Sequence, residues 1–134
     1  MTSEQNIQSH DILFIDNLAI KGREDQFMTM DVDMQKILQS WKDSLFSFEW
    51  LDNNGKIKDF SDLPPKEQVK RQEVEELLGD GQRLSRPVLG LGLNDNIEIG
   101  SGRAVLLTLA HKGQTHISVH IPKSSLEDIQ SLLK

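Results

Sequence analysis

The chain contains no cysteine. Disulfides, thiolate nucleophiles and the Cys-rich kinds of structural zinc site are thereby excluded. It also has no apolar run near the ~18 to 20 residues that cross a bilayer, and its start, MTSEQNIQSH, carries no basic and apolar leader of the secretory kind. Positive charge is in short supply too: 15 Lys and Arg against 21 Asp and Glu give a net charge of −6. That balance opposes broad, non-specific nucleic-acid binding, whose affinity comes from neutralising phosphates. Missing as well are a Ser-His-Asp order, HExxH, a Walker loop and a kinase signature, so the hydrolase and kinase classes built on them are poorly supported. These absences make a cytoplasmic address without membrane association the expectation. With no internal repeat, low-complexity segment or linker, the 134 residues read as a single domain, 1–134, frayed over residues 1 to 10.

What is present is the pattern of an ordinary globular domain, 37% apolar and 27% charged. DILFIDNLAI reads as a first, buried strand, with its continuous apolar start at Ile12 to Ile15. From Asp31 the spacing of Val32, Met34, Ile37, Leu38 and Trp41 predicts a helix capped by Asp31 or Asp33. Phe46, Phe48 and Trp50 then switch to period two and predict a strand. DNNG at 52–55 signals a hairpin turn, with KIKDF returning. SDLPPKEQ opens a helix, with Ser61 or Asp62 as cap and Pro64 or Pro65 in the first turn, and Gly79 and Gly81 end it. Its charges (Lys66, Lys70 and Arg71 among Glu67, Glu73, Glu75 and Glu76) read as a solvated mixed face, and so do Asp80, Arg83 and Arg86 beyond it.

The second half is more regular. RPVLGLGL alternates leucine with Val88, Gly90 and Gly92, and glycine repeated on one strand face leaves room for something to approach closely. NDN turns the chain into a strand at Ile97 to Ile99. GSG then leads into a helix over 103–112 closed by Gly113, ISVHI forms a last strand, and SSLEDIQSLLK a last helix with Ser124 and Glu127 at capping-box spacing. The order implies an α+β domain with a mixed or antiparallel sheet packed by helices.

IEIGSGR, residues 97–103, is the stretch that points most directly at chemistry. A strand ending in glycines before a helix offers free backbone N–H groups where the helix dipole favours an anion. Ser101 adds a hydroxyl and Arg103 a guanidinium, both suited to phosphate oxygens. Gly100, Ser101, Gly102 and Arg103 are thus the candidate binding residues; the plainer reading is a tight turn in which glycine permits positive φ. Glu98, just before the loop, is the acid-base candidate. His116 and His120 share a strand face, a spacing that could present two imidazoles to a metal but equally fits a solvent-facing polar side, and no metal site is assigned. Asp31, Asp33, Asp52 and Asp59 could hold magnesium, but caps and turns explain each of them.

The stretch from Pro87 to Val119, PVLGLGLNDNIEIGSGRAVLLTLAHKGQTHISV, resembles the core of ParB-like domains, the fold shared by chromosome and plasmid partition proteins and by sulfiredoxin. Those domains show an apolar strand with a "PV/I" start, a turn, a strand ending near glycine, a helix of about three turns closed by glycine, and a strand beginning "VPV". The resemblance marks 87–121 as the ParB-like core of a single ParB/sulfiredoxin-like domain. It implies that the loop at Gly102 and Arg103 holds the phosphates of a nucleotide, ATP or CTP with magnesium, in prokaryotic DNA-maintenance or mobile-element biology. Phosphoryl transfer or nuclease chemistry is the enzyme class to which this leads. Members usually carry a basic pair two and three residues after the glycine, where this chain has Ala104 and Val105, and sulfiredoxin's reactive cysteine has no counterpart. The alternative is therefore a catalytically degenerate member that binds or inhibits a protein partner, for which exposed aromatics between Phe46 and Trp50 would speak. A homodimer through a strand edge or the last helix is compatible with either.

Overall fold

The computed structural model describes residues 12–134; the expected frayed start lies outside the described residues. Strand β1 (Phe14–Ile15) pairs in parallel with β3 (Leu84–Ser85), forming a two-stranded patch. The main sheet has four strands: β2 (Phe27–Asp33), β4 (Val88–Leu91), β5 (Ile97–Ser101) and β6 (His116–Pro122). Their spatial order is β2-β6-β4-β5. β2 and β5 each run antiparallel to their neighbour, whereas β4 and β6 are parallel, with the His120 N–H donating to the Pro87 carbonyl at 2.9 Å. The sheet is mixed, and with four α-helices among the described residues the domain is α+β.

Helix α1 (Met34–Trp41) starts where Asp33 accepts from the Lys36 N–H, one of the two caps expected. It buries Met34, Ile37 and Trp41. Helix α2 (Pro65–Gly79) begins with proline at its first position, but neither Ser61 nor Asp62 caps it; the chain enters through Pro64 without a side-chain cap. Helix α3 (Arg103–His111) joins β5 to β6 and ends at Gly113, whose φ is +92°. Leu106, Leu107 and Leu109 in it are fully buried, each contributing roughly 1.5–3 kcal/mol of transfer free energy. Helix α4 (Leu126–Leu132) packs Ile129 into the same core after a 3-10 turn at Lys123–Ser125, and the Ser124 capping box does not form.

Several expectations are corrected. The first strand covers only Phe14 and Ile15, because the Asn17 side chain accepts from the Ala19 N–H and starts a 3-10 turn at Leu18–Ile20. Val32 belongs to β2, which the helical spacing had absorbed. Phe46 to Trp50 is a 3-10 turn over Ser47–Glu49, not a strand, and its burial is inverted: Ser47 is buried between the Lys42 and Ser44 carbonyls, while Phe46 and Phe48 are exposed. The DNNG turn forms, with Asp52 accepting from the Asn54 and Lys56 N–H groups, but it closes only a single antiparallel bridge, Leu51 to Ile57. The α2 face is not wholly solvated. Glu67 and Arg71 are buried, the first accepting from the Trp50 indole at 2.8 Å and the second donating to Glu75 at 2.8 Å.

β6 is covered on both faces at its His120 end. Ile117, Val119 and Ile121 face the helices, and His120 on the opposite face is covered completely rather than exposed. The segment around Asn17 lies over it: the Asn17 N–H donates to His120 Nε2 at 3.1 Å. A backbone N–H only donates, so the imidazole carries its proton on Nδ1, facing Thr29 Oγ1 at 3.2 Å.

Candidate functional site

The β4–β5 hairpin positions the site. Its turn at 92–96 is closed by the Gly92 N–H to the Asn96 carbonyl at 2.6 Å, with Asp95 at φ +55°. At Gly92 two side chains come close: a Cβ there would lie 2.7 Å from Asn96 Oδ1 and 2.9 Å from Glu98 Oε2, so one of them would have to shift. The room expected beside the alternating glycines is occupied at Gly92 by two side chains of the chain itself and stays open at Gly90, where a Cβ would meet nothing within 4 Å.

In β5, Ile97 and Ile99 are buried, so Glu98 and Gly100 point to the other face. Glu98 Oε1 accepts from Ser44 Oγ at 2.7 Å, and Oε2 accepts from Asn96 Nδ2 at 3.1 Å. Ser44 Oγ in turn accepts from the Phe46 N–H at 3.1 Å, which ties the loop after α1 to the hairpin. Among the described residues every donor to this carboxylate is neutral.

The loop residues singled out from the sequence do come together at the start of α3. Gly102 has a φ of +83°, and a Cβ there would meet Pro87 Cα at 2.9 Å, so both conformation and space demand glycine. A Cβ on Gly100 would find only the Val88 carbonyl at 3.5 Å, an ordinary contact. The two polar groups intended for a phosphate already have partners within the chain. Ser101 Oγ accepts from Asn17 Nδ2 at 3.1 Å, and Arg103 Nη1 donates to Glu49 Oε1 at 2.8 Å. Glu49 and Asn17 are the residues that sequence reasoning missed, because each lies more than 50 positions from its partner.

Two depressions flank this loop. One, of about 430 Å³, runs between it and α2, with Glu67, Lys70 and Glu73 on its far side. The other, of about 550 Å³, lies between the loop after α1 and the hairpin turn, walled by Leu45, Phe46, Leu91 and Leu93 with Asn96 and Glu98. Phe46 is 58% exposed, Leu45 74% and Leu93 fully exposed.

The remaining candidates are dispersed. His116 lies at an exposed strand end while His120 is enclosed, so the two do not form a pair open to a metal. Burial lowers the pKa of His120, and nearby Arg86 lowers it further against the opposing pull of Asp16. Asp33 and Asp52 are used as cap and turn residue, and among the described residues no group of three His, Asp or Glu could hold a metal ion. Glu75 is held below its ordinary range: burial alone would raise it, but hydrogen bonds from Arg71 and Lys112, with their charges, outweigh that. Among the described residues no helix is long and apolar enough to cross a membrane. Comparison of the chain with protein-family models, with curated proteins and with solved structures gives no match.

Proposed function

We infer that the chain is a degenerate ParB/sulfiredoxin-like domain that works as a protein-interaction module, docking a partner in the apolar depression beside the glycine loop. The observation that carries this reading is the gathering of Leu45, Phe46, Leu91 and Leu93 around one 550 Å³ depression although all four are substantially exposed. Exposed apolar side chains scattered singly need no explanation, whereas a contiguous patch around a concavity is what a partner covers. The fold-family part rests on the strand, glycine loop, helix and strand that follow one another from Pro87 to Val119 in the order those domains share.

A second reading, phosphate or nucleotide binding with Mg-dependent chemistry in DNA maintenance, is favoured by one feature: α3 starts at Arg103 with no side chain capping it. It requires Arg103 to leave Glu49. Two measurements decide between them. A random peptide library selected on the wild-type chain should yield binders that lose at least tenfold in affinity on Leu93→Asp, a substitution at a fully exposed position that costs under about 0.5 kcal/mol in stability. ATP, CTP and inorganic phosphate, with and without magnesium, should leave the melting temperature unchanged, whereas a ligand at 100 times its Kd adds about 2.7 kcal/mol. A nucleotide shift abolished by Arg103→Ala, or peptides indifferent to Leu93, would replace the docking reading.

A further inference from the structure

We propose that the depression reads a basic side chain: the partner segment carries an arginine that pairs with Glu98 while its apolar neighbours fill the Leu45, Phe46 and Leu93 walls. This deepens the docking reading and rests on it. Two acceptor-bearing side chains, Glu98 and Asn96, line the depression. Glu98 receives hydrogen bonds from Ser44 Oγ and Asn96 Nδ2 and has no cationic partner among the described residues. Arg103, a cation in the same wall, is engaged by Glu49 at 2.8 Å.

The second observation is Asn96. The residue is 3% exposed, and its Oδ1 has no hydrogen-bond partner among the described residues. The orientation of its amide is fixed, since Nδ2 serves two acceptors, the Ile97 carbonyl at 2.9 Å and Glu98 Oε2 at 3.1 Å. Flipping it would set an oxygen against both. An unpartnered buried acceptor costs free energy that an incoming donor recovers. A Cβ added at Gly92 would touch both Asn96 Oδ1 and Glu98 Oε2, so the two acceptors lie side by side under that glycine.

A carboxylate and an amide oxygen set together in apolar walls call for several N–H donors on one head carried by an apolar stem. Arginine matches this: its planar fork bears five donors, and it is more weakly hydrated than an ammonium group. The chain's net charge of −6 favours approach of a basic segment over an acidic one.

The test uses two acetylated, amidated pentapeptides, Gly-Leu-Arg-Leu-Gly and the same sequence with citrulline, the neutral isostere, in place of arginine. Each is titrated into the full chain labelled with ¹⁵N. The expected result is movement of the amide signals of 91–100 by both peptides, with the arginine form binding about tenfold tighter, as suits one charge-assisted hydrogen-bonded pair. Glu98→Gln should abolish that difference and leave citrulline-peptide binding in place; Leu93→Asp should weaken both peptides. Equal affinity of the two forms for the wild-type chain, or a preference surviving in Glu98→Gln, overturns the arginine assignment while docking at the depression stands. If neither peptide moves signals in 91–100, the docking reading falls and takes the assignment with it.

Discussion

On the α3 side of Gly100, polar groups meet partners from distant parts of the chain: Asn17 reaches Ser101, and Glu49 reaches Arg103. On the hairpin side, among the described residues, Glu98 has only neutral donors and Asn96 Oδ1 has no partner, and Leu93 stands fully exposed. Both regions hang on β5 and both concern the same glycine-rich stretch. The difference teaches that local sequence sets the shape of such a loop, whereas its binding capacity depends on what the rest of the fold delivers to it. A phosphate arriving at Arg103 must displace a carboxylate already in place. A partner arriving at Leu93 displaces only water.

The largest expected effect tests whether the loop's shape is fixed as firmly as its contacts suggest. Gly102→Ala introduces a side chain at φ +83° and a contact of 2.9 Å with Pro87 Cα. The left-handed conformation costs roughly 1–2 kcal/mol and the backbone shift needed to clear Pro87 adds to it, so urea unfolding should show a loss of about 2–4 kcal/mol. Gly100→Ala, with only the Val88 carbonyl at 3.5 Å, should stay within about 0.5 kcal/mol of wild type. Equal losses at the two positions would mean that the loop is not anchored on Pro87.

That turn was legible in the sequence, and so was α3, because each depends on neighbours within a few residues: glycines ahead, leucines at helical spacing, and Gly113 behind. The turn at 92–96 and the Asp33 cap are local in the same sense. The expectations that failed depended on distant chain. Phe46, Phe48 and Trp50 alternate as a strand would, yet Trp50 turns inward to reach Glu67 while the two phenylalanines remain outside. β2 was missed although Met28, Met30 and Val32 alternate with Thr29, Asp31 and Asp33, because Val32 also fits the helical spacing that continues through Met34, Ile37 and Trp41; the strand is held by pairing along the whole of β6. Nothing near His120 says that residues 16 and 17 will cover it. The Glu49–Arg103 pair, which decides how the candidate site is read, spans 54 positions.

A smaller effect follows from His120, where the distant segment closes over the sheet. The imidazole faces Asn17 and Asp16 from the covering segment, Thr29 and Phe27 from β2, and lies near Arg86. Burial is the main cause of its lowered pKa. The folded state therefore binds this proton less readily than the unfolded chain, whose histidine titrates near 6.5. Stability from this residue is fully present above that pH and declines as pH falls below it, toward the lower folded value, with a slope of at most about 1.4 kcal/mol per pH unit. Protonation would also set an Nε2 proton against the Asn17 N–H. In His120→Gln, denaturant midpoints measured from pH 7.5 down to 5 should lose this part of the slope, whatever their absolute value. A wild-type profile flat across that interval would show that the segment over β6 tolerates the charge.

The smallest effect concerns the pair that closes the loop to anions. Arg103 and Glu49 keep 29% and 32% of their side-chain surface in water, so solvent screens their attraction, and a double-mutant cycle with Arg103→Ala and Glu49→Ala should return a coupling of no more than about 1 kcal/mol. Its consequence for ligands is more informative than its size. Glu49→Ala removes the competing carboxylate and leaves Arg103, Ser101 and the start of α3 as they were. With only the apolar Ala104 and Val105 following it, one guanidinium is too little to hold a phosphate firmly, and inorganic phosphate is expected to leave the melting temperature of Glu49→Ala unchanged. A shift that appeared in Glu49→Ala and vanished in the double variant would show that the loop retains its capacity for anions, and that Glu49 is what distinguishes it from an open phosphate site.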